Sequence, residues 1–237
     1  MNQDISICVL TENEMGWTEP FELDKVQILD NYYLSAQKSD IAFLKKMDTA
    51  RLLAGFRTTA GIDTKGVRPY GGWEDSLLGG HCVGHYLTAL AQAVKVTGDK
   101  ELKEKSQTLI AGLEECQKKL GTGFLFGAKV EDKEDVEKQF DILEGKKKGE
   151  TWVPWYNMHK VLAGLVDTYK YTGNETALLV AEKLGDWIYE RVSKWDLKTN
   201  QKVFTILFAS GLEYNVLYNV NKPKFRIEYA FASDETI

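Results

Sequence analysis

Proline is scarce in this chain, at four residues in 237. Because proline breaks the helical ladder, that rarity leaves room for long helices. Cysteine is scarcer still. Cys8, Cys82 and Cys116 are odd in number and show no paired spacing, which excludes a disulfide framework or a zinc ribbon. No run of about 18 apolar residues occurs, so no membrane-spanning helix and no membrane partner are expected. Basic residues do not outnumber acidic ones: thirty against thirty-five give a net charge of −5. A nucleic-acid binder would show the opposite balance, so no nucleic-acid partner is expected. Residues 1–20 lack a basic start followed by an apolar stretch; no secretory leader is visible, and a cytoplasmic location is the default. No G-x-S-x-G, P-loop or dinucleotide fingerprint is present. GTGFLFG at 121–127 lacks the Lys-Ser/Thr of a phosphate loop and reads as a turn.

What remains is a globular composition, 43% hydrophobic and 27% charged, in a chain long enough to bury a core. Aromatic residues are plentiful, with six Trp and eleven Tyr. Such rings suit a cleft that stacks on sugars, since their faces are apolar and their edges polar, and they equally fill a helical core. The spacing predicts a long first helix over 24–47, with Leu29, Tyr33, Gln37, Asp40, Leu44 and Met47 along one stripe. Gln37 and Asp40 are polar intruders on it. Residues 58–80 form a glycine-rich loop. Helices are expected over about 81–96, 100–119, 158–171 and 175–195, and weaker ones around 203–208 and 212–220. Residues 129–150 carry fourteen charged side chains among twenty-two and read as a solvated insertion without chemistry.

Two stretches repeat one another. HYLTALAQAVKVTGDKEL begins at His85 and HKVLAGLVDTYKYTGNETAL at His159. In each, a helix ends in Thr-Gly-Asp or Thr-Gly-Asn, and Asp99 and Asn174 are suited to cap the helix that follows. The unit is a helical hairpin of roughly forty residues, as in solenoids and α/α toroids. Short turns at one end and long Gly- and Trp-rich loops at the other favour a toroid with its site on the long-loop face. The expected fold is all-α: one domain over 1–237, with 196–237 divergent.

All three histidines, His81, His85 and His159, sit at helix starts that follow those loops. On the second helix Val83, Leu87, Leu90 and Val94 form an apolar stripe, while His81, His85, Thr88 and Gln92 form the opposite face. That face turns into a lumen or simply into water. His81 and His85 at i, i+4 have metal-ligand spacing, but the usual intervening Glu is absent; imidazoles donating to substrate hydroxyls are chemically simpler, and no metal ligand is assigned. Trp73 and Glu74 follow the Gly71-Gly72 turn beside His81. Glu74 could bind a sugar hydroxyl, act as acid or base, cap a helix or pair with Arg68. Trp152, Trp155 and Tyr156 surround Pro154 just before His159, either as a sugar platform or as packing.

Taken in order, RLLAGFRTTAGI (51–62), YGGWE (70–74), GHCVGHYLTALA (80–91), CQ (116–117), WVPWYNMHKVLAGLVDTY (152–169) and TGNETAL (172–178) resemble the β-L-arabinofuranosidase family of glycoside hydrolases, family 127. The resemblance covers 21–195. It implies an (α/α)6-barrel catalytic domain acting on furanosides of plant or bacterial glycans, with Gln37, His85 and His159 among the sugar-binding groups. It also implies a cysteine nucleophile held on zinc by further cysteines and a glutamate in the second half of the barrel, with another glutamate as acid/base. This chain has no cysteine after Cys116. The resemblance therefore implies about half a toroid that supplies the sugar-binding wall, is inactive alone, carries no cofactor itself, and self-associates or meets a partner that completes the ring. The competing expectation is a non-catalytic carbohydrate-binding or structural helical protein.

Overall fold

The computed structural model describes residues 21–209, with side chains placed through Val203, and these residues are all helical or loop. Eight α-helices follow in order: α1 (Asn31–Lys46), α2 (Thr49–Thr59), α3 (His81–Thr97), α4 (Lys100–Leu120), α5 (Lys138–Leu143), α6 (Pro154–Thr172), α7 (Glu175–Val192) and α8 (Leu197–Ala209). Short 3-10 turns lie at Leu23–Lys25 and Gly72–Asp75. No helix among the described residues is long and apolar enough to cross a membrane.

The repeated sequence is a repeated structure. α3 and α6 each end in a glycine at positive φ, Gly98 at 66° and Gly173 at 68°. Each glycine's N–H donates back to the helix, to Val94 and Tyr169, at 2.8 Å, a left-handed stop that L side chains resist. The next residue then starts a new helix. Asp99 Oδ1 accepts from the N–H groups of Glu101 and Leu102 at 3.0 and 3.1 Å, and Asn174 Oδ1 accepts from Ala177 N–H at 3.0 Å, satisfying amides that a helix start leaves bare.

α3 and α6 cross where both carry glycine. A Cβ on Gly84 would stand 2.0 Å from the Lys160 carbonyl oxygen, and one on Gly164 would stand 2.4 Å from that of Gly84. Only hydrogen fits there, so the two backbones touch. The apolar stripe of α3 is buried as its spacing predicts, with Val83, Leu87 and Leu90 at 0% exposure. It packs in one core with Leu165 of α6, Leu109 and Leu113 of α4 and Leu184 of α7.

Several expectations change. The first helix does not begin at residue 24. Asp30 caps it, accepting from Tyr32 N–H at 2.8 Å and Tyr33 N–H at 3.2 Å, and the chain before it is extended or a 3-10 turn. Its stripe is a core face only at the far end: α1 fully buries no residue, Leu44 and Met47 pack half-buried against the core, and Leu29 and Tyr33 are 80% and 62% exposed. Asp48 then caps α2, which buries Leu52, Leu53, Ala54 and Phe56 and which the stripe spacing does not announce. The 129–150 stretch is not simply solvated. α5 sends Phe140 to 0% exposure among Phe124, Phe126, Trp155 and Trp187. Three of its carboxylates, on Glu137, Asp141 and Glu144, clasp the Arg191 guanidinium of α7. α8 covers the helix expected around 203–208; the one expected at 212–220 lies outside the described residues.

Candidate functional site

The site is built at the start of α3. Gly80, the residue ahead of the helix, has no side chain to cap the free amides. Glu74 does so from six residues upstream: Oε2 accepts from Gly80 N–H at 3.0 Å and Oε1 from Cys82 N–H at 3.2 Å. A carboxylate is well placed there, at the positive end of the helix. Only 8% of Glu74 is exposed. Burial would raise its pKa, but hydrogen bonds from His81, Gly80 N–H and Cys82 outweigh that and hold it below the ordinary carboxylate value.

The same carboxylate orients His81, whose Nδ1 lies 2.9 Å from Glu74 Oε1 and 2.8 Å from the Leu78 carbonyl oxygen. Two acceptors on Nδ1 put a hydrogen there, so in the neutral ring Nε2 carries the lone pair. Nε2 faces Cys82 Sγ at 3.6 Å. Burial, reinforced by the Glu74 charge, pushes the Cys82 thiol up to about 12, so it is no activated nucleophile on its own.

Around His81 stand three more rings: Trp73 at 6.2 Å, His85 edge-on at 6.0 Å and Tyr156 of α6 at 6.1 Å between ring centres. Trp73 is 67% exposed and His85 is also exposed, while Tyr156 is half-buried. Lys160, one turn beyond Tyr156, sets its ammonium 4.9 Å above that ring. Burial, then Lys160 and His81, hold the His85 pKa below its usual value. Burial, then Lys160 and His85, bring His159 down to about 4, so it is neutral at pH 7. Its Nε2 is buried with no hydrogen-bond partner among the described residues.

The structure thus gathers Trp73, Glu74, His81, His85 and Tyr156, with His159 beside His85. Two expected members stand apart. Trp155 is turned into the core at 8% exposure, 5.0 Å from Phe140 and 5.3 Å from Trp195, and is not a platform. Pro154 at the first helical position aims successive side chains to different sides of α6, so Tyr156 faces the site and Trp155 the core. Gln37 is half-buried on α1 and shares no hydrogen bond, ion pair or ring contact with the group. Nor does Glu74 pair with Arg68; it caps α3 and holds His81. Cys82 and Lys160 are members that the sequence pattern does not announce.

Repeated helical hairpins with histidines and aromatic rings at their long-loop ends define an all-helical protein with a polar, aromatic-lined site. The family model described as the β-L-arabinofuranosidase, GH127 catalytic domain matches residues 25–219, and the chain belongs to that family. Membership makes it glycoside hydrolase-like, with carbohydrate as the substrate class. A search of curated proteins finds no match. The zinc centre that the family resemblance implies needs several cysteines. Among the described residues there are Cys82 and Cys116. Cys116 is fully buried on α4, its thiol pushed up to about 12 by burial. The residues present do not fit that centre.

Proposed function

We propose that this chain supplies the sugar-binding wall of a β-L-arabinofuranosidase-like protein and that it does not hydrolyse glycosides by itself. The observation that carries this reading is the ring group at the α3 start, where Trp73, His85 and Tyr156 each stand about 6 Å from His81. Exposed Trp73 offers a face for a sugar ring to stack on. His85, and the unpartnered Nε2 of neutral His159, offer polar atoms for hydroxyls. The family membership favours a terminal arabinofuranose. In this reading the two hairpins are about half of an (α/α)6 toroid. The exposed apolar residues of α1, Tyr32, Tyr33 and Phe43, favour self-association or a partner that completes the ring.

Titration of the purified chain with arabinofuranose-containing oligosaccharides, followed by calorimetry and tryptophan fluorescence, tests the binding role. Saturable binding that His85→Ala weakens at least tenfold is expected; no binding at all would leave a structural role. Turnover of an arabinofuranoside by the chain alone would refute the claim of inactivity.

A further inference from the structure

Glu74, His81 and Cys82 bring a carboxylate, an imidazole and a thiol within 4.8 Å of one another. Glu74 and His81 are 8% and 6% exposed, which separates this group from the loose acidic clusters common on surfaces. We propose that His81 and Cys82 ligate a thiophilic divalent cation, Zn2+ in the first instance, with Glu74 as the positioning residue. This claim shares His81 with the sugar-binding reading, and its test reads metal binding with no sugar present.

Three features of the geometry support it. First, the ligand atoms are at the right separation. Zn–N and Zn–S bonds of about 2.1 and 2.3 Å at a tetrahedral angle put nitrogen and sulfur about 3.6 Å apart, and His81 Nε2 and Cys82 Sγ are 3.6 Å apart. Second, the ring is already in the tautomer that a metal requires. Nδ1–H is spoken for by Glu74 Oε1 at 2.9 Å and by the Leu78 carbonyl at 2.8 Å, which leaves Nε2 as the donor. A carboxylate behind a histidine is the arrangement that fixes ligand orientation and raises ligand basicity. Third, the charges fit. A buried carboxylate beside a thiolate would repel it, and a divalent cation between imidazole and sulfur offsets both anions. On binding, the Cys82 S–H bond breaks, the Zn–S bond forms, and the proton leaves to solvent.

The test uses the untagged full-length chain, first stripped with chelator and then titrated with Zn2+ against a chromogenic chelator. One ion per chain is expected. Cys82→Ser should weaken binding at least tenfold. Glu74→Gln, which weakens the hold on His81 and on the α3 start, should weaken it by about 10- to 100-fold, and Cys116→Ser should not change it. Helical circular dichroism confirms that each variant is folded. Loading Co2+ in place of Zn2+ should give a near-ultraviolet sulfur-to-cobalt charge-transfer band that Cys82→Ser abolishes. Zn2+ should also slow modification of Cys82 by a thiol reagent in the unmodified chain, a readout that needs no variant. No stoichiometric ion, or a folded Cys82→Ser that binds like the parent, would overturn the proposal.

Discussion

Replacing Gly84 by alanine tests whether the crossing of α3 and α6 sets the geometry of the site. The added methyl would lie 2.0 Å from the Lys160 carbonyl oxygen and 2.6 Å from the Val161 nitrogen. Carbon and oxygen rest in ordinary contact at about 3.5 Å, so the helices must part by more than an ångström or the backbone must bend. Neither is easy, because the obstruction is main chain in the middle of a helix rather than the end of a flexible side chain. Overpacking of this kind costs about 1–3 kcal/mol, and more when backbone must move. The intrinsic preference for alanine over glycine in a helix returns about 1 kcal/mol. Because the clash is with backbone the upper end applies, and a net loss of about 2 kcal/mol is expected, which at this chain length lowers Tm by roughly 4–8 °C. Thermal melts followed by circular dichroism measure it. Gly71→Ala is the control, since a Cβ there meets nothing within 4 Å and its φ is −70°; it should leave Tm almost unchanged. A Gly84→Ala variant as stable as the parent, or more stable by the helix-preference term, would refute the close crossing.

The remaining predictions concern protons and charge. His159 is depressed from 6.5 to about 4 in the folded chain by burial, with Lys160 and His85 adding to it. As pH falls below 6.5 the unfolded chain takes a proton that the native one refuses, so stability declines from pH 6.5 down to about 4. Denaturant melts across that range should show the decline, and a folded His159→Gln should flatten part of it; an unchanged slope would contradict the assignment. For the charged stretch, Arg191→Ala removes the cation shared by Glu137, Asp141 and Glu144, while Lys146 and Lys147 still pair with Glu144 and Asp141. The Arg191 side chain is only 10% exposed, but with those lysines left in place the loss stays below the about 3–5 kcal/mol of an uncompensated buried charge. Limited proteolysis should then cut within 129–150 much faster than in the parent. Equal cutting rates would mean that the stretch is not fastened by Arg191.

The hairpins are legible in the chain because their signals are local: a periodic apolar stripe, a glycine stop, and an Asp or Asn cap one residue later. The stripe through α1 is equally periodic, yet Leu29, just before the helix, and Tyr33 stay exposed while Leu44 and Met47 reach the core. Periodicity gives a face, not the partner of that face. The 129–150 stretch misleads for a similar reason. Its charge count hides Phe140 and Leu143, and the cation that gathers its carboxylates lies some fifty residues further on in α7. Trp155 and Tyr156 are adjacent and chemically alike, and only the helical phase from Pro154 sends one to the core and the other to the site.

The Cys82 contact is the least legible of all. Neighbouring residues on a helix do not normally face one another, so a His-Cys dipeptide carries no expectation of contact. It arises here because the His81 ring is held from behind by Glu74 and Leu78, which swings Nε2 toward the sulfur. The carboxylate that makes this happen is also the cap for the amides of Gly80 and Cys82. Gly80 itself sits at φ 92°, a conformation that glycine adopts without strain, and it contributes no capping group. The backbone turn at the α3 entrance therefore depends on a side chain from the preceding loop, and that side chain is the one that sets the tautomer of the central histidine. Fold and chemistry share a single residue at this point. A change at Glu74 moves helix stability and ring orientation together, whereas a change at Cys82 keeps its backbone N–H bond to Glu74 and alters only the sulfur. Cys82 is thus the position at which the chemistry of the site can be varied while its scaffold is kept.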